Sequence, residues 1–277
     1  MLNFTRVSIP NYLKTTTEQP VKNLLRGLIS RPVTQRCFMQ MLKLCHAGMN
    51  YGGGHSPADS GERDALALVR KSADPSRRLT LFDAGANDGE YLKHALGILG
   101  DRAKIYAFEP QALCYERLRA RFASESRVEL VKAALGNASG TAELFAREAG
   151  ESTASLHRNT IAGQAVSEIV QMTTVDEVCR EREIGQIDLL KIDTEGNEID
   201  VIAGAAAMIE AGRIAFIQFE FGDPFVHTPF HFLDLWDRLS PRYAIHRILR
   251  HGLTEVRAYS ADLEIYKVAN FLCVQRY

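Results

Sequence analysis

The sequence lacks the features that define several large classes of protein. Its 277 residues contain no apolar run that approaches the roughly 20 residues of a transmembrane helix. The net charge of −1 provides no general attraction for nucleic acid. The five cysteines are scattered and form no C-x-x-C pair, which argues against a disulfide framework or a zinc site. Since no signal-peptide pattern is recognisable either, we expect a cytoplasmic protein whose thiols stay reduced.

Several catalytic motifs are absent as well. Neither G-x-S-x-G nor H-E-x-x-H occurs, which argues against the common serine hydrolases and zinc peptidases. No Gly-Lys-Ser or Gly-Lys-Thr follows the glycines at 52–54, so residues 51–57 are interpreted as a flexible joint rather than a phosphate loop. An NAD-dependent oxidoreductase is an alternative enzyme, but the G-x-G-x-x-G fingerprint and a Tyr-x-x-x-Lys pair are both missing.

The most informative segment that is present is an apolar run followed by an acid and a glycine loop. The run covers residues 79–82, and Asp83, the loop and a helical pattern over 91–99 follow it. This order predicts a strand, a tight turn and a helix. Glycines permit the turn and the close approach of a ligand, and the N–H groups at the helix start favour an anionic group such as a carboxylate. The candidate loop residues are Gly85, Ala86, Asn87 and Gly89.

A second predicted strand, 104–108, ends at Glu109 and Pro110. The Glu109 carboxylate is suited to accept hydrogen bonds from both hydroxyls of an unphosphorylated ribose. Asp83 would attract the ammonium group of a bound amino acid and would suit a nearby sulfonium. S-adenosylmethionine combines an unphosphorylated ribose, an ammonium group and a sulfonium, and we predict it as the cofactor of this site.

Four segments together resemble the FkbM family of methyltransferases. They are Asp83-Ala84-Gly85-Ala86-Asn87, Phe108-Glu109-Pro110, Thr173-Thr174-Val175-Asp176, and residues 187–198 with Lys191-Ile192-Asp193-Thr194-Glu195-Gly196 at the centre. The similarity extends over residues 79–221. The resemblance implies a class I, Rossmann-like, S-adenosylmethionine-dependent enzyme that methylates hydroxyl groups of sugars, glycans or polyketide products.

Alternating strand and helix patterns predict an α/β fold with a doubly wound, mostly parallel sheet whose last two strands form an antiparallel pair. The predicted strands are 79–83, 104–109, 128–132, 187–192, 213–220, 243–249 and 264–275. Besides 91–99, helices are predicted at 63–69, 111–123, 174–182, 198–210 and 230–239. Residues 56–277 form the predicted Rossmann-like methyltransferase domain, and residues 1–55 a basic helical appendage.

The predicted appendage is unlike the rest of the chain in charge. Apart from Glu18, every charged side chain in the first fifty residues is basic, and apolar residues recur at helical spacing near 21–29 and 38–45. We favour a helical segment that packs on the catalytic domain or against a second subunit of a homo-oligomer. A helix lying on a membrane surface is the alternative, and it would suit a lipid-linked glycan substrate. A transit peptide is less favoured.

Acids at four predicted strand ends are expected to converge, because open α/β sheets bind ligands at the carboxyl ends of their strands. These acids are Asp83, Glu109, Asp193 and Glu220. A sugar hydroxyl is a weak acid, so its methylation needs a general base or a metal ion. The candidates for catalysis are Asp193, Glu195, His227 and His231. A divalent metal is an option that the sequence does not favour, because Pro229 interrupts any helix through both histidines.

Two charged residues near this motif have structural interpretations. Lys191 is expected to pair with Asp193 or Asp188, and Glu198 to stabilise a helix N-terminus. The adenine pocket is expected at residues 131–135, where backbone groups would recognise the base. The loop at 152–156 either approaches a ligand or is solvated. The expected acceptor is a hydroxylated small molecule or glycan rather than nucleic acid. The alternative outside enzymes is a noncatalytic S-adenosylmethionine-binding or scaffold protein.

Overall fold

A computed structural model describes residues 31–52, 60–158, 163 and 165–276. The predicted helical pattern at 21–29 and most of the glycine joint at 51–57 lie outside these residues. The contacts divide the chain into two units between Gly48 and Met49. The predicted domain boundary at residue 55 falls within 53–59, which is outside the described residues.

Strands of unit Met49–Tyr277 form an eight-stranded and a three-stranded sheet. In chain order they are β1 (Leu79–Ala84), β2 (Ala103–Phe108), β3 (Val128–Val131), β4 (Ala134–Leu135), β5 (Gly140–Ala146), β6 (Val166–Thr173), β7 (Ile187–Ile192), β8 (Ile214–Phe221), β9 (Tyr243–Ile248), β10 (Leu253–Val256) and β11 (Ala269–Gln275). The large sheet has the order β10-β9-β11-β8-β7-β1-β2-β3, and the small one the order β4-β6-β5.

The directions of the strands in the large sheet define the fold class. Neighbours from β3 through β2, β1 and β7 to β8 are parallel, whereas β11 is antiparallel to both β8 and β9. The strand order reverses direction between β1 and β7, which is where open α/β sheets bind ligands. This is a class I methyltransferase-like, Rossmann-like sheet. The predicted fold class and its antiparallel final strand are confirmed.

Within the described residues the helices are α1 (Gln35–Gly48), α2 (Glu62–Ser72), α3 (Glu90–Leu99), α4 (Ala112–Arg121), α5 (Val175–Glu181), α6 (Glu198–Ala203), α7 (Ala206–Glu210) and α8 (Phe232–Leu239). Helices α2 to α8 belong to unit Met49–Tyr277 and pack on the two faces of its large sheet. Alternate residues of a strand point to opposite faces, so Phe82 joins one apolar cluster and Leu81 the other. Because both faces are apolar, a buried charge on a central strand such as Asp83 needs a specific partner.

The sequence did not predict the small sheet, β10, or the break within the predicted helix 198–210. The strands of the small sheet were missed because β5 and β6 leave most of their side chains exposed or half-buried and so lack a continuous apolar pattern. The helix breaks at Gly204, where an added Cβ would overlap the carbonyl of Gly136. The Gly204 carbonyl also accepts a hydrogen bond from Asp176 N at 2.9 Å.

The predicted last strand, 264–275, begins five residues later than expected, at Ala269. Glu264 is one of the residues that the prediction placed in this strand and the structure does not. Its carboxylate accepts hydrogen bonds from the backbone N–H groups of Phe232 (3.0 Å) and Leu233 (3.1 Å), at the start of α8. Glu264 also ends the 3₁₀ helix Ala261–Leu263 with φ −76° and ψ 53°, so its backbone is not extended and the strand starts after it.

An ion pair between the buried Asp188 and the partly exposed Arg77 fixes the start of β1 against β7. Asp188 accepts hydrogen bonds from Arg77 Nη1 at 2.7 Å and from Thr80 N at 2.8 Å, and it is 3% exposed. We expect Asp188→Ala to lower the free energy of unfolding by about 2–4 kcal/mol, because it leaves a charge and an N–H group unpaired. Glu116→Ala, which removes the exposed pair with Arg119, is the control and should cost less than about 1 kcal/mol. Equal costs in urea unfolding would contradict this.

The other unit contributes α1 to the described residues. None of the residues of α1 is buried, and its apolar side chains Met39, Met41, Leu42 and Leu44 are exposed. Among the described residues, no helix has the length and apolar character needed to cross a membrane.

Candidate functional site

A cleft with an empty volume of about 560 Å³ lies at the carboxyl ends of β1, β2 and β7. One wall is the glycine loop after β1, a second is the Glu109 segment after β2, and a third is the 193–197 loop after β7. Residues 134–135, 144 and 151–156 complete it. The lining residues are Gly85, Asn87, Phe108, Glu109, Pro110, Cys114, Ala134, Leu135, Leu144, Glu151, Ser152, Ala154, Leu156, Asp193, Thr194, Glu195 and Asn197.

The glycine loop is held against the neighbouring strand ends. The N–H groups of Gly85 and Ala86 donate to the Phe108 carbonyl at 3.1 and 3.0 Å. Gly85 has φ +82°, and an added Cβ would overlap the Asp193 carbonyl. Glycine is therefore required here by the neighbouring Asp193 segment as well as by the turn. The sequence alone indicates a role for this glycine in the turn and in the close approach of a ligand. Gly89 has the same φ and packs against Leu118 and Phe122, outside the cleft lining.

Glu109 lies in the cleft where the cofactor prediction placed it. Its Oε2 accepts a hydrogen bond from Asn87 N and its Oε1 from Gln111 N, both at 2.8 Å. Burial raises the pKa of Glu109 to about 7, although the two backbone N–H groups oppose the shift. Each carboxylate oxygen retains a lone pair for a further donor. Pro110 and Asn87 lie beside Glu109 in the lining, while Ala86 is buried outside it.

Asp83 does not line the cleft. It is fully buried, and its Oδ1 lies 3.2 Å from Lys191 Nζ. The same ammonium lies 3.2 Å from Asp193 Oδ2. Lys191 therefore pairs with Asp193, as predicted, and with Asp83 instead of Asp188. The two strands are in register at Asp83 and Lys191, which brings the side chains together.

The loop after β7 carries Asp193 and Glu195 into the cleft. The Asp193 side chain is 37% exposed, and Glu195 turns out of strand geometry with φ +56°. Burial, with the nearby charge of Asp193, raises the pKa of Glu195 to about 8. Its backbone is fixed by Ser155 Oγ, which donates to the Glu195 carbonyl at 2.7 Å. A carboxyl with such a pKa is suited to proton transfer near neutral pH.

Glu198 holds the 193–197 loop in place through hydrogen bonds with its backbone. Its carboxylate accepts hydrogen bonds from Thr194 N at 2.9 Å and Gly196 N at 3.0 Å, and it is 1% exposed. Burial raises the pKa of Glu198 to about 7. Glu198 thus shapes the loop that presents Asp193 and Glu195, and it does not line the cleft itself.

Glu220, on β8, belongs to the same group of acids. Burial raises its pKa well above the ordinary value, and Asp193, Glu195 and Glu198 raise it further. Of the acids expected to converge, Glu109 and Asp193 line the cleft, whereas Asp83 and Glu220 lie outside the lining. Among the described residues no group of three His, Cys, Asp or Glu side chains is arranged to hold a metal ion.

The structure does not bring the two candidate histidines into the cleft. His227 is exposed at the end of the 3₁₀ helix Asp223–His227. His231 is exposed at the N-cap of α8, where its Nδ1 lies 2.7 Å from Tyr266 Oη and its backbone N–H donates to Asp234 Oδ2. These contacts give His231 a role in helix capping.

The loop at 151–156 takes part in the site, which sequence patterns left open. Glu151, Ser152, Ala154 and Leu156 line the cleft. His157 follows and lies close to Gly196, where an added Cβ would be 3.5 Å from its Cδ2. Only the polar composition of this connection suggested a binding role. The expected adenine region is represented by Ala134 and Leu135, beside Cys114 and Leu144.

The large sheet, with a cleft at the carboxyl ends of its parallel strands, has the class I methyltransferase-like fold. The family described as "Methyltransferase FkbM domain" matches residues 83–244, which is more than half of the chain. The chain therefore belongs to the FkbM methyltransferase family, and the resemblance drawn from the sequence is confirmed.

Similar proteins include two curated relatives and one solved structure. Hexuronic acid methyltransferase AglP of Haloferax volcanii is 23% identical over 165 residues, 59% of this chain and 65% of that protein. The 2-O-methyltransferase NoeI of Sinorhizobium fredii is 25% identical over 174 residues, 58% of this chain and 68% of that protein. The crystal structure of Methyltransferase FkbM from Methylobacillus flagellatus KT has a TM-score of 0.44 and 16% identity, covering 70% of this chain and 43% of that one. The chain spans about two thirds of the length of these curated relatives.

Proposed function

We propose that this protein transfers a methyl group from S-adenosylmethionine to a hydroxyl group of a saccharide or a related natural product. The observation that carries the proposal is the cleft in which Asn87, Glu109, Asp193 and Glu195 meet at three adjacent strand ends. The lining contains apolar side chains such as Leu135 and Leu144 as well as the carboxyl groups of Glu109, Asp193 and Glu195. This combination suits a ligand that carries both an adenine ring and cationic groups.

The residues present fit the donor molecule. Glu109 lines the cleft, and each of its oxygens, which accepts one backbone hydrogen bond, keeps a lone pair that suits a ribose hydroxyl. Leu135, Leu144 and Pro110 provide an apolar surface for the adenine ring. When bound, S-adenosylmethionine supplies a methyl group on a positively charged sulfur.

Glu195 is the residue we assign to the proton of the acceptor hydroxyl. It lines the cleft, its backbone is held by Ser155, and its pKa of about 8 allows it to be ionised at mildly alkaline pH. A base with a pKa near the working pH is the most effective proton acceptor. The remaining contribution is positional, because the acceptor oxygen must lie in line with the methyl group and the sulfur.

The acceptor class is supported by the names of the relatives. One acts on hexuronic acid and another is a 2-O-methyltransferase. The test is to incubate the protein with tritium-labelled S-adenosylmethionine and a panel of methyl hexopyranosides and hexuronic acids. The proposal expects label in a product that survives mild alkali, as a methyl ether does. Label released by alkali as methanol would indicate carboxyl methylation and contradict the O-ether assignment.

Glu109 supports a prediction about donor affinity. We expect Glu109→Gln to weaken the binding of S-adenosylhomocysteine and of 5′-methylthioadenosine about 10–100-fold each, because charged hydrogen bonds to the ribose contribute about 1.5–3 kcal/mol. Both ligands contain the ribose, so both should lose affinity equally in calorimetric titrations. Glu143→Gln, an exposed acid on β5, is the control and should leave both affinities unchanged. Unchanged affinities in Glu109→Gln would show that the ribose binds elsewhere.

A further inference from the structure

Lys191 is a buried cation between two carboxylates. Its side chain is 5% exposed, and its Nζ lies 3.2 Å from Asp83 Oδ1 and 3.2 Å from Asp193 Oδ2. The Tyr91 ring also lies close to it, with the centroid 4.9 Å from Nζ. Asp193 and Asp83 hold the pKa of Lys191 above its ordinary value against the effect of burial. The ammonium group therefore stays charged in the folded protein.

The two carboxylates that contact Lys191 have different environments. Asp83 is fully buried and accepts no well-formed hydrogen bond from another described residue, so Lys191 is the partner that offsets its burial. Asp193 is 37% exposed and lines the cleft. Asp83 thus contacts the Lys191 ammonium inside the protein, whereas Asp193 contacts it at the wall of the cleft. Of the two carboxylates, Asp193 is the one that is open to the cleft.

A series of side-chain hydrogen bonds holds the Tyr91 ring beside Lys191. Tyr91 Oη donates to Gln218 Oε1 at 3.2 Å, and Gln218 Nε2 donates to Glu62 Oε1 at 2.7 Å. Glu62 Oε2 in turn accepts from Ser60 Oγ at 2.6 Å. Gln218 is in register with Lys191 on the adjacent strand. The Tyr91 ring is therefore fixed over Lys191 by contacts that begin on α2, which limits where the ammonium can move.

We propose that Lys191 is a positioning residue that holds Asp193 at the cleft as the carboxylate that receives the ammonium group of the donor's amino acid end. This inference rests on the proposed function. It moves the ammonium contact from Asp83, to which the sequence assigned it, to Asp193. The geometry supports the change, because Asp193 is the member of the pair that lines the cleft and Asp83 is enclosed.

The test compares two probes that differ in the amino acid end. S-adenosylhomocysteine carries the ammonium and carboxylate groups, and 5′-methylthioadenosine lacks both. In calorimetric titrations we expect Asp193→Asn to weaken the binding of S-adenosylhomocysteine about 10–100-fold. The affinity for 5′-methylthioadenosine should stay within about threefold of the wild-type value. The double variant Lys191→Met/Asp83→Asn, which removes both partners of the buried pair, should show the same selective loss. Lys191→Arg should retain part of the affinity.

The variants also separate positioning from folding. Adding Asp193→Asn to the double variant should cause little further loss, because Asp193 is already released from its position. Equal loss of both probes in Asp193→Asn, or full affinity for both, would overturn the inference. If the double variant does not fold, the selective loss in Asp193→Asn with partial retention in Lys191→Arg decides the question. A wild-type protein that binds neither probe would instead refute the proposed function.

Discussion

Gly85→Ala is expected to lower the free energy of unfolding by about 2–5 kcal/mol and to weaken donor binding at least about tenfold. The methyl group would overlap the Asp193 carbonyl, and alanine would have to adopt φ +82°. Strain at such a backbone position costs about 1–3 kcal/mol, and overpacking costs a similar amount. Because Gly85 and Asp193 line the same cleft, relief of the overlap would move one wall of the site.

The matched control for this experiment is Gly97→Ala. Gly97 lies within α3, and an added Cβ there meets no atom within 4 Å. Alanine should therefore stabilise the helix by about 0.5–1 kcal/mol. Urea unfolding and titration with S-adenosylhomocysteine measure both effects. A Gly85→Ala protein as stable as wild type, with unchanged affinity, would show that the loop does not pack against Asp193 as described.

Glu195→Gln is expected to lower kcat for methyl transfer about 10²–10⁴-fold, the usual contribution of a general base. The affinity for S-adenosylhomocysteine should change little, because the assigned role of Glu195 concerns the acceptor. With a pKa of about 8, Glu195 loses its proton as the pH rises through 8. The wild-type rate should therefore increase with pH to a plateau above about 9, and the rate of Glu195→Gln should not follow this curve.

A methyl hexopyranoside that the labelling assay identifies as an acceptor is the substrate for this profile. Glu143→Gln, an exposed acid on β5, controls for the loss of a negative charge and should retain the wild-type rate and curve. A Glu195→Gln enzyme with the wild-type pH profile would exclude Glu195 as the base. Asp193, which lines the same cleft, would then be the next residue to test.

The fold could be predicted from the sequence because the central strands are apolar and most of them end sharply at polar residues or glycine. β1, β2, β7, β8 and β9 lie within one or two residues of their predicted bounds, and the loops that follow β1, β2 and β7 form the cleft. These signals are local, since a strand that is buried on both faces must be apolar along its whole length. The small sheet has no such pattern, so its strands could be found only from the structure.

The contacts within the site were less predictable because they depend on strand register. Asp83 and Lys191 are far apart in the chain, and their pairing follows from β1 and β7 lying side by side in a particular alignment. No local sequence pattern indicates the register between these two strands. The histidines illustrate the opposite case: His227 and His231 follow β8 closely in sequence, yet the 3₁₀ helix Asp223–His227 and the cap of α8 place them on the surface.

The central claim is that the cleft binds S-adenosylmethionine. Calorimetric titration of the purified protein with S-adenosylmethionine and S-adenosylhomocysteine, with NADH as the comparison ligand, tests it most directly. The account predicts saturable binding of both sulfur ligands, none of NADH, and a loss of about 10–100-fold for both in Glu109→Gln. Binding of NADH alone, or affinities for the sulfur ligands that Glu109→Gln leaves unchanged, would contradict it.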